Sequence, residues 1–342
     1  MARKINTNSL LNHVALVQKG KRRFENAFQG VSRMILQSEI SKVTVNGKAI
    51  YDYSIFRQGK KHIIGLYDEI NSFVSFVKDA SQGGSSKEMA FVLVGEPGNG
   101  KTFLIEFLCT AYRNFLAQEE NRKYTFRFIN IDKVGHYGKI SQIESQTYED
   151  PMILAMNLFE TEAENREWLA KKFRFTDKQL DQLYENYRPL AACSGYILND
   201  IRVLTNNKAD EMLKFLEIVP VPLIESLGTV TGKYPAKDKI TSSAVDLLGE
   251  ESIQRLMHIT DTNNPYRFDL RRGALARVAG GGIHFSDEIY KNKKDLVQVY
   301  LGIIQNRCIE IADSPGEACL TAVIMCASKK PISPTPQFFL RS

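Results

Sequence analysis

Residues 90–102 read Ala-Phe-Val-Leu-Val-Gly-Glu-Pro-Gly-Asn-Gly-Lys-Thr, and the fold of the chain is decided here. Phe91, Val92, Leu93 and Val94 form a short apolar run, the length of one buried strand. Gly95, Glu96, Pro97, Gly98, Asn99, Gly100, Lys101 and Thr102 then match the phosphate-loop pattern G-x-x-x-x-G-K-[ST] in full. Leu104, Phe107, Leu108, Ala111 and Phe115 recur at helical spacing, so a helix opens at the loop with Phe103 in its first turn. Glycine lets the backbone curl until several N–H groups converge on phosphate oxygens. The helix N-terminus adds its partial positive charge. Lys101 is expected to reach the β- and γ-phosphates and the Thr102 hydroxyl to ligate Mg²⁺. The expectation is an ATP·Mg²⁺ site lined by Gly95 to Phe103.

Working outward, 342 residues suffice for a large core and a second domain. Hydrophobic residues make up 43% and charged ones 25%, ordinary values for a globular chain. No apolar run reaches the ~20 residues of a membrane span, and the N-terminus has no apolar signal core. Cys109, Cys193, Cys308, Cys319 and Cys326 are scattered, with no C-x-x-C pair, which reads as reduced thiols in the cytoplasm. A net charge of +6 is what a phosphate-binding protein carries anyway, so nucleic acid is not indicated.

Ahead of the loop, residues 1–88 read as a helical segment. Leu10, Leu11, Val14 and Val17 keep helical spacing, as do Phe24, Phe28, Val31 and Ile35, and later Leu66, Ile70, Phe73, Val74 and Val77. Val43 to Ile50 reads as a hairpin turning at Asn46-Gly47. Ser81 to Ser86 reads as a linker. After the loop's helix, Tyr124 to Ile131 is expected to be a second core strand. Helical pieces follow near 160–173 and 177–187, with a strand-like run at 218–224, and 233–252 reads as a polar loop.

A second constellation lies at Gly280-Gly281-Gly282-Ile283-His284-Phe285-Ser286-Asp287-Glu288. Apolar residues ending in Asp-Glu are the pattern of an acid-bearing strand. One carboxylate near Mg²⁺ and a second that orients and deprotonates the attacking group are what phosphoryl transfer needs. Asp287 is assigned the first role and Glu288 the second, although His284 and Ser286 dilute the apolar run. Lys101 and Asp287 are 186 positions apart, where two bare strand–helix units need only ~60. A large insertion, at about 132–269, is therefore expected within the domain.

The chain resembles the AAA+ domain of the PrkA family of bacterial serine protein kinases. The resemblance is carried by Phe56–Lys78, the phosphate loop, Tyr148-Glu149-Asp150-Pro151, Leu227–Ile253 with Leu247-Leu248-Gly249-Glu250, and Arg272–Glu288. It implies an α/β P-loop domain of the AAA+ type with a parallel sheet at 89–328, bearing the insertion. It also implies phosphoryl transfer from ATP, with Lys101 and Glu288 as catalytic residues and Thr102 and Asp287 holding the metal. Partners would be protein substrates or clients, and rings in a longer form.

Three departures stand out. The family continues into a helical lid and a kinase-like region, without counterpart in this sequence. Thr321–Cys326 resembles the sensor 1 strand, but Ala327, Ser328 and Lys329 follow where an asparagine is usual. Residues 329–342 read as an irregular tail. No H-R-D-x-x-x-x-N or D-F-G set is present. Of the arginines, Arg271, Arg272 and Arg307 precede the sensor 1 strand and only Arg341 follows it, so the expectation is tight ATP binding with slow turnover. A protein kinase, a motor ATPase acting on protein clients and a nucleotide-sensing scaffold all remain open.

Overall fold

The computed structural model describes residues 9–57, 62–96, 98–225, 228–235, 244–252, 258–264, 269–291, 294–310, 317–319, 322–328 and 339–341. Pro97, Lys329 and most of the C-terminal tail lie outside them.

Before the loop come helices α1 (Leu10–Gln18) and α2 (Ala27–Leu36), strands β1 (Ile40–Val45) and β2 (Lys48–Tyr53), and helix α3 (Tyr67–Ser81). The β1–β2 hairpin turns at Asn46 and Gly47 with φ of 52° and 76°, the double positive pair a tight hairpin requires. The stretch expected as a linker is folded. The Asp79 carboxylate accepts from the Ser86 N–H at 3.0 Å, and Gly84 fits because Asp79 fills the space a Cβ would need.

Strand β3 (Ala90–Val94) leads into α4 (Lys101–Ala117). Between there and the acids lie β4 (Tyr124–Ile129), β5 (Gln142–Glu144), α5 (Pro151–Met156), α6 (Glu162–Phe173), α7 (Asp177–Tyr184), α8 (Ala192–Thr205), α9 (Ala209–Met212), β6 (Leu216–Pro220), β7 (Thr231–Tyr234), α10 (Ala244–Leu248), β8 (Gly249–Ser252) and β9 (Asp269–Arg272). The acid strand β10 (Ile283–Ser286), α11 (Lys294–Asn306), β11 (Cys308–Glu310), β12 (Glu317–Cys319), β13 (Val323–Ser328) and β14 (Phe339–Arg341) complete the chain.

Four strands run parallel in the order β3-β13-β10-β7, and β14 adds in parallel on the outer side of β3. Alternation sorts the side chains. Phe91, Leu93, Ile283, Phe285, Val323 and Met325 face one way, into a core shared with α2, α3 and α4. Ala90, Val92, Ile324 and Cys326 face the other, packing on α11 and on residues 274–279. The result is a mixed α/β domain with a parallel sheet covered on both faces, compatible with a P-loop architecture.

Three further expectations need correcting. Tyr124–Ile131 gives a strand, β4, but outside the parallel sheet. It is the centre of a separate antiparallel sheet, β5-β4-β6, and Phe126 and Phe128 enter a second core built from α1, α5, α6 and α8. The fourth place in the parallel sheet falls to β7, whose second half lies in the stretch 233–252 that read as a polar loop. That segment also carries α10 and β8. β7 is only four residues and includes Gly232 and Lys233, so no apolar run marks it. In the tail read as irregular, residues 339–341 form β14.

The intervening segment keeps its own hydrophobic core, so it is a folded module. Thr161–Glu164 and Thr176–Gln179 capping boxes fix the starts of α6 and α7. Helix α1 packs into this module while α2 packs on the parallel sheet, so the N-terminal helices divide between the two cores. Among the described residues, no helix is long and apolar enough to cross a membrane.

Candidate functional site

Val94 ends β3, and the loop that follows bends back to start α4 at Lys101. Gly98 and Gly100 hold φ of 86° and 76°, which an L-residue enters only under strain. Gly100 is the N-cap of α4, and its carbonyl accepts from the Leu104 N–H at 2.9 Å. The Lys101 ammonium folds back over the loop, donating to the Gly95 carbonyl at 2.8 Å and to the Glu96 carbonyl at 2.7 Å. Asn99 reaches across to Gly95, its Nδ2 being 3.7 Å from where a Cβ there would sit. Thr102 is half-buried in the first turn. Phe103, expected beside the nucleotide, is 37% exposed and lines a cleft of about 660 Å³ between α4 and β7, together with Glu106, Phe107, Lys233 and Phe285.

Register brings the acids to the same end of the sheet. Ser286 of β10 is level with Cys326 of β13, and Ala327 and Ser328 of β13 are level with Leu93 and Val94 of β3. Asp287, one residue past Ser286, therefore stands across from the mouth of the loop, two strand spacings or roughly 10 Å away. Its N–H donates to the Tyr234 carbonyl at 3.0 Å, so the edge strand β7 fixes the turn that presents the carboxylates. Glu288 takes φ of 47° and lies 3.8 Å from the Lys291 ammonium. The end of β13, between loop and acids, carries Ala327 and Ser328.

The polar residues that dilute the acid strand are fully buried. His284 Nε2 meets the Tyr300 hydroxyl of α11 at 2.8 Å, and burial pushes the imidazole down to about 3, so it is neutral. Burial also pushes the Tyr300 hydroxyl well up. The pair ties the acid strand to the helix that follows the acids.

The Gly280–Gly282 run, singled out with the acids, lies at the opposite end of β10. Its glycines serve close packing. A Cβ on Gly280 would be 2.1 Å from the Tyr148 carbonyl oxygen, and one on Gly282 would be 2.2 Å from that of Val230. Arg307 and Arg272 bond to backbone and tyrosine groups elsewhere in the fold, and Arg341 of β14 is level with Val92 of β3. Arg307 donates to the Ala322 carbonyl at 2.6 Å, where β13 begins, and Arg272 donates to the Tyr148 hydroxyl at 2.8 Å.

Sequence reasoning missed Tyr234 and Leu66. Leu66 Cδ1 lies 3.3 Å from where a Cβ on Gly100 would sit, and Ile64, 83% exposed, precedes it. The only signal was apolar Ile63-Ile64 ahead of Gly65-Leu66. Among the described residues, no cluster of three or more His, Cys, Asp or Glu could hold a metal ion. A cation here would have to be shared between Thr102, Asp287 and a phosphate ligand.

No family model and no curated protein matches the chain. Among solved structures, NtrX from Brucella abortus matches at 15% identity over 81% of this chain and 51% of its own, with a TM-score of 0.22. The chain thus spans about half of that protein's length, and so loose a superposition carries no argument about fold or function.

Proposed function

We propose that the chain binds ATP·Mg²⁺ at Gly95–Thr102 and supports Mg²⁺-dependent phosphoryl transfer, as an AAA+ domain of the PrkA type. One observation carries the reading: a complete G-x-x-x-x-G-K-T loop opens a helix at the same sheet end as an Asp-Glu pair, one strand removed. The residues fit such a ligand. The glycine backbone is open, with nothing within 4 Å of a Cβ at Gly98. The Lys101 ammonium, held by two loop carbonyls, is placed to exchange them for phosphate oxygens. Thr102 and Asp287 would hold Mg²⁺, which supplies charge neutralisation at the phosphates. Glu288 would accept the proton of the attacking water or protein hydroxyl. The Ile64–Leu66 strip offers an apolar wall beside the loop.

The test is labelled ATP. Label appearing on protein supports the kinase reading, and label released as free phosphate supports an ATPase. Binding with neither leaves nucleotide sensing. A folded chain that binds no nucleotide at millimolar ATP·Mg²⁺ refutes the proposal.

A further inference from the structure

The acid strand is rooted in a set of contacts that the phosphoryl-transfer reading does not use. Tyr148 and Val230, whose carbonyls press on Gly280 and Gly282, hold φ of 53° and 69°. L-residues avoid this region, aromatic and β-branched ones above all. Between them the Gly281 carbonyl accepts from Lys123 Nζ at 2.9 Å and from the Tyr112 hydroxyl at 3.2 Å. Lys123 begins the intervening module and Tyr112 belongs to the loop's helix, so one carbonyl joins three parts of the molecule. Arg272 closes the assembly from outside. Its guanidinium lies 4.5 Å over the Tyr148 ring, and it donates to the Tyr148 hydroxyl at 2.8 Å and the Ser145 carbonyl at 3.1 Å.

Gly280 and Gly282 are each filled by a different stretch of backbone, and the Gly281 carbonyl between them is bonded twice, so the root has little slack; packed interiors transmit displacement. The root cannot move without moving the Tyr148 turn. Strained residues of this kind persist only where their surroundings hold them, and they gather where a structure must choose between two states. At the tip of the same short strand, seven residues from Gly281, Glu288 is strained as well.

We propose that the Tyr148 turn and the glycine root form a clasp coupling the intervening module to the nucleotide site, with Arg272 and Lys123 as positioning residues for Asp287 and Glu288. This rests on the reading of those two acids given above. Linkage then requires reciprocity: whatever nucleotide does to the clasp, the clasp does to nucleotide affinity, by the same factor.

The experiment is hydrogen exchange of residues 145–150, with and without saturating Mg²⁺ and the non-hydrolysable analogue adenylyl imidodiphosphate, beside analogue affinity by calorimetry. In the wild-type chain, the analogue should slow exchange by roughly 5- to 150-fold, the usual span of coupling. In Arg272→Met the slowing should vanish and affinity fall by the same factor; Lys123→Met should act in the same direction. Should either variant fail to fold, Tyr148→Phe, which removes only the hydroxyl that Arg272 reaches, carries the measurement. Unchanged exchange at a site shown to be saturated, or affinity within twofold of wild type in a folded Arg272→Met, overturns the clasp and leaves the nucleotide reading standing. A wild-type chain that binds no analogue removes both.

Discussion

Gly280→Ala adds one methyl group, and the structure says where it goes. The new Cβ would stand 2.1 Å from the Tyr148 carbonyl oxygen and 2.9 Å from that of Thr147. Both obstacles are backbone, so no side chain can swing aside. One or both chains must retreat by more than an ångström, against the Lys123 and Tyr112 bonds to Gly281. Overpacking of a filled core costs about 1–3 kcal/mol, and a backbone obstacle puts this case at the top of that range. Gly302→Ala is the control. It sits in α11 with nothing within 4 Å of the new Cβ, so the same methyl should stabilise by up to about 1 kcal/mol through helix propensity. Urea unfolding with unchanged slope measures both. The expected result is opposite signs, separated by about 3 kcal/mol or more. A Gly280→Ala cost below about 0.5 kcal/mol would refute the reasoning, because it would mean the glycine run is not held by the Tyr148 turn.

Other outcomes follow from the site and from the buried titratable groups. Lys101→Ala should abolish ATP binding and leave the melting temperature unchanged, since among the described residues the ammonium bonds to loop carbonyls; a Kd within threefold of wild type contradicts this. Glu288→Gln should bind ATP normally and cut any turnover by ~100-fold or more, whereas Asp287→Asn should weaken the Mg²⁺ dependence; full turnover in the first moves the general base elsewhere. Stability should fall as pH drops from 6.5 to 5. His13 and His284 are both held near 3 in the fold, chiefly by burial, so the unfolded chain takes up protons that the folded one refuses. At pH 5 each contributes about 2 kcal/mol of loss, and Asp150, raised to about 6 by burial, returns about 1.4 kcal/mol. His284→Phe should remove about 2 kcal/mol of that slope, and an unaltered slope would show that the imidazole is charged in the fold.

What the sequence made legible was local. The loop can be read because eight consecutive residues and the first turn of α4 perform one task together. The acid strand could be read only in its company, since His284 and Ser286 interrupt the apolar run; their place becomes intelligible once Tyr300 is seen opposite His284. Partner choice was not legible. Phe126 and Phe128 alternate as a core strand should, and they do face a core, but that of the intervening module. Nothing in the eight residues from Tyr124 could announce it, because a period of two specifies a strand and one buried face, not its neighbour. β7 fails for the opposite reason. A Cβ on Gly232 would be 2.3 Å from the Ala274 carbonyl, so the position demands glycine, and with exposed Lys233 beside it the strand looks like a turn. The glycines at 280–282 were read together with the acids, and only the fold shows that Gly280 and Gly282 meet protein backbone at the far end of β10.

The sheet order gives the site its dimensions. Adjacent strands are about 4.8 Å apart, and had β10 paired directly with β3, Asp287 would have faced the loop across a gap too narrow for a phosphate and a metal. Mg²⁺ alone needs about 2.1 Å to each ligand oxygen on either side, and it keeps waters. Interposing β13 doubles the gap to roughly 10 Å. The same step makes the end of β13 the floor of the gap, so its residues must be small or able to bond what lies above. Ala327, level with Leu93 and packed in the same core, meets the first condition. On the proposed reading, the strand that separates the loop from the acids also makes room for a phosphate and a metal between them.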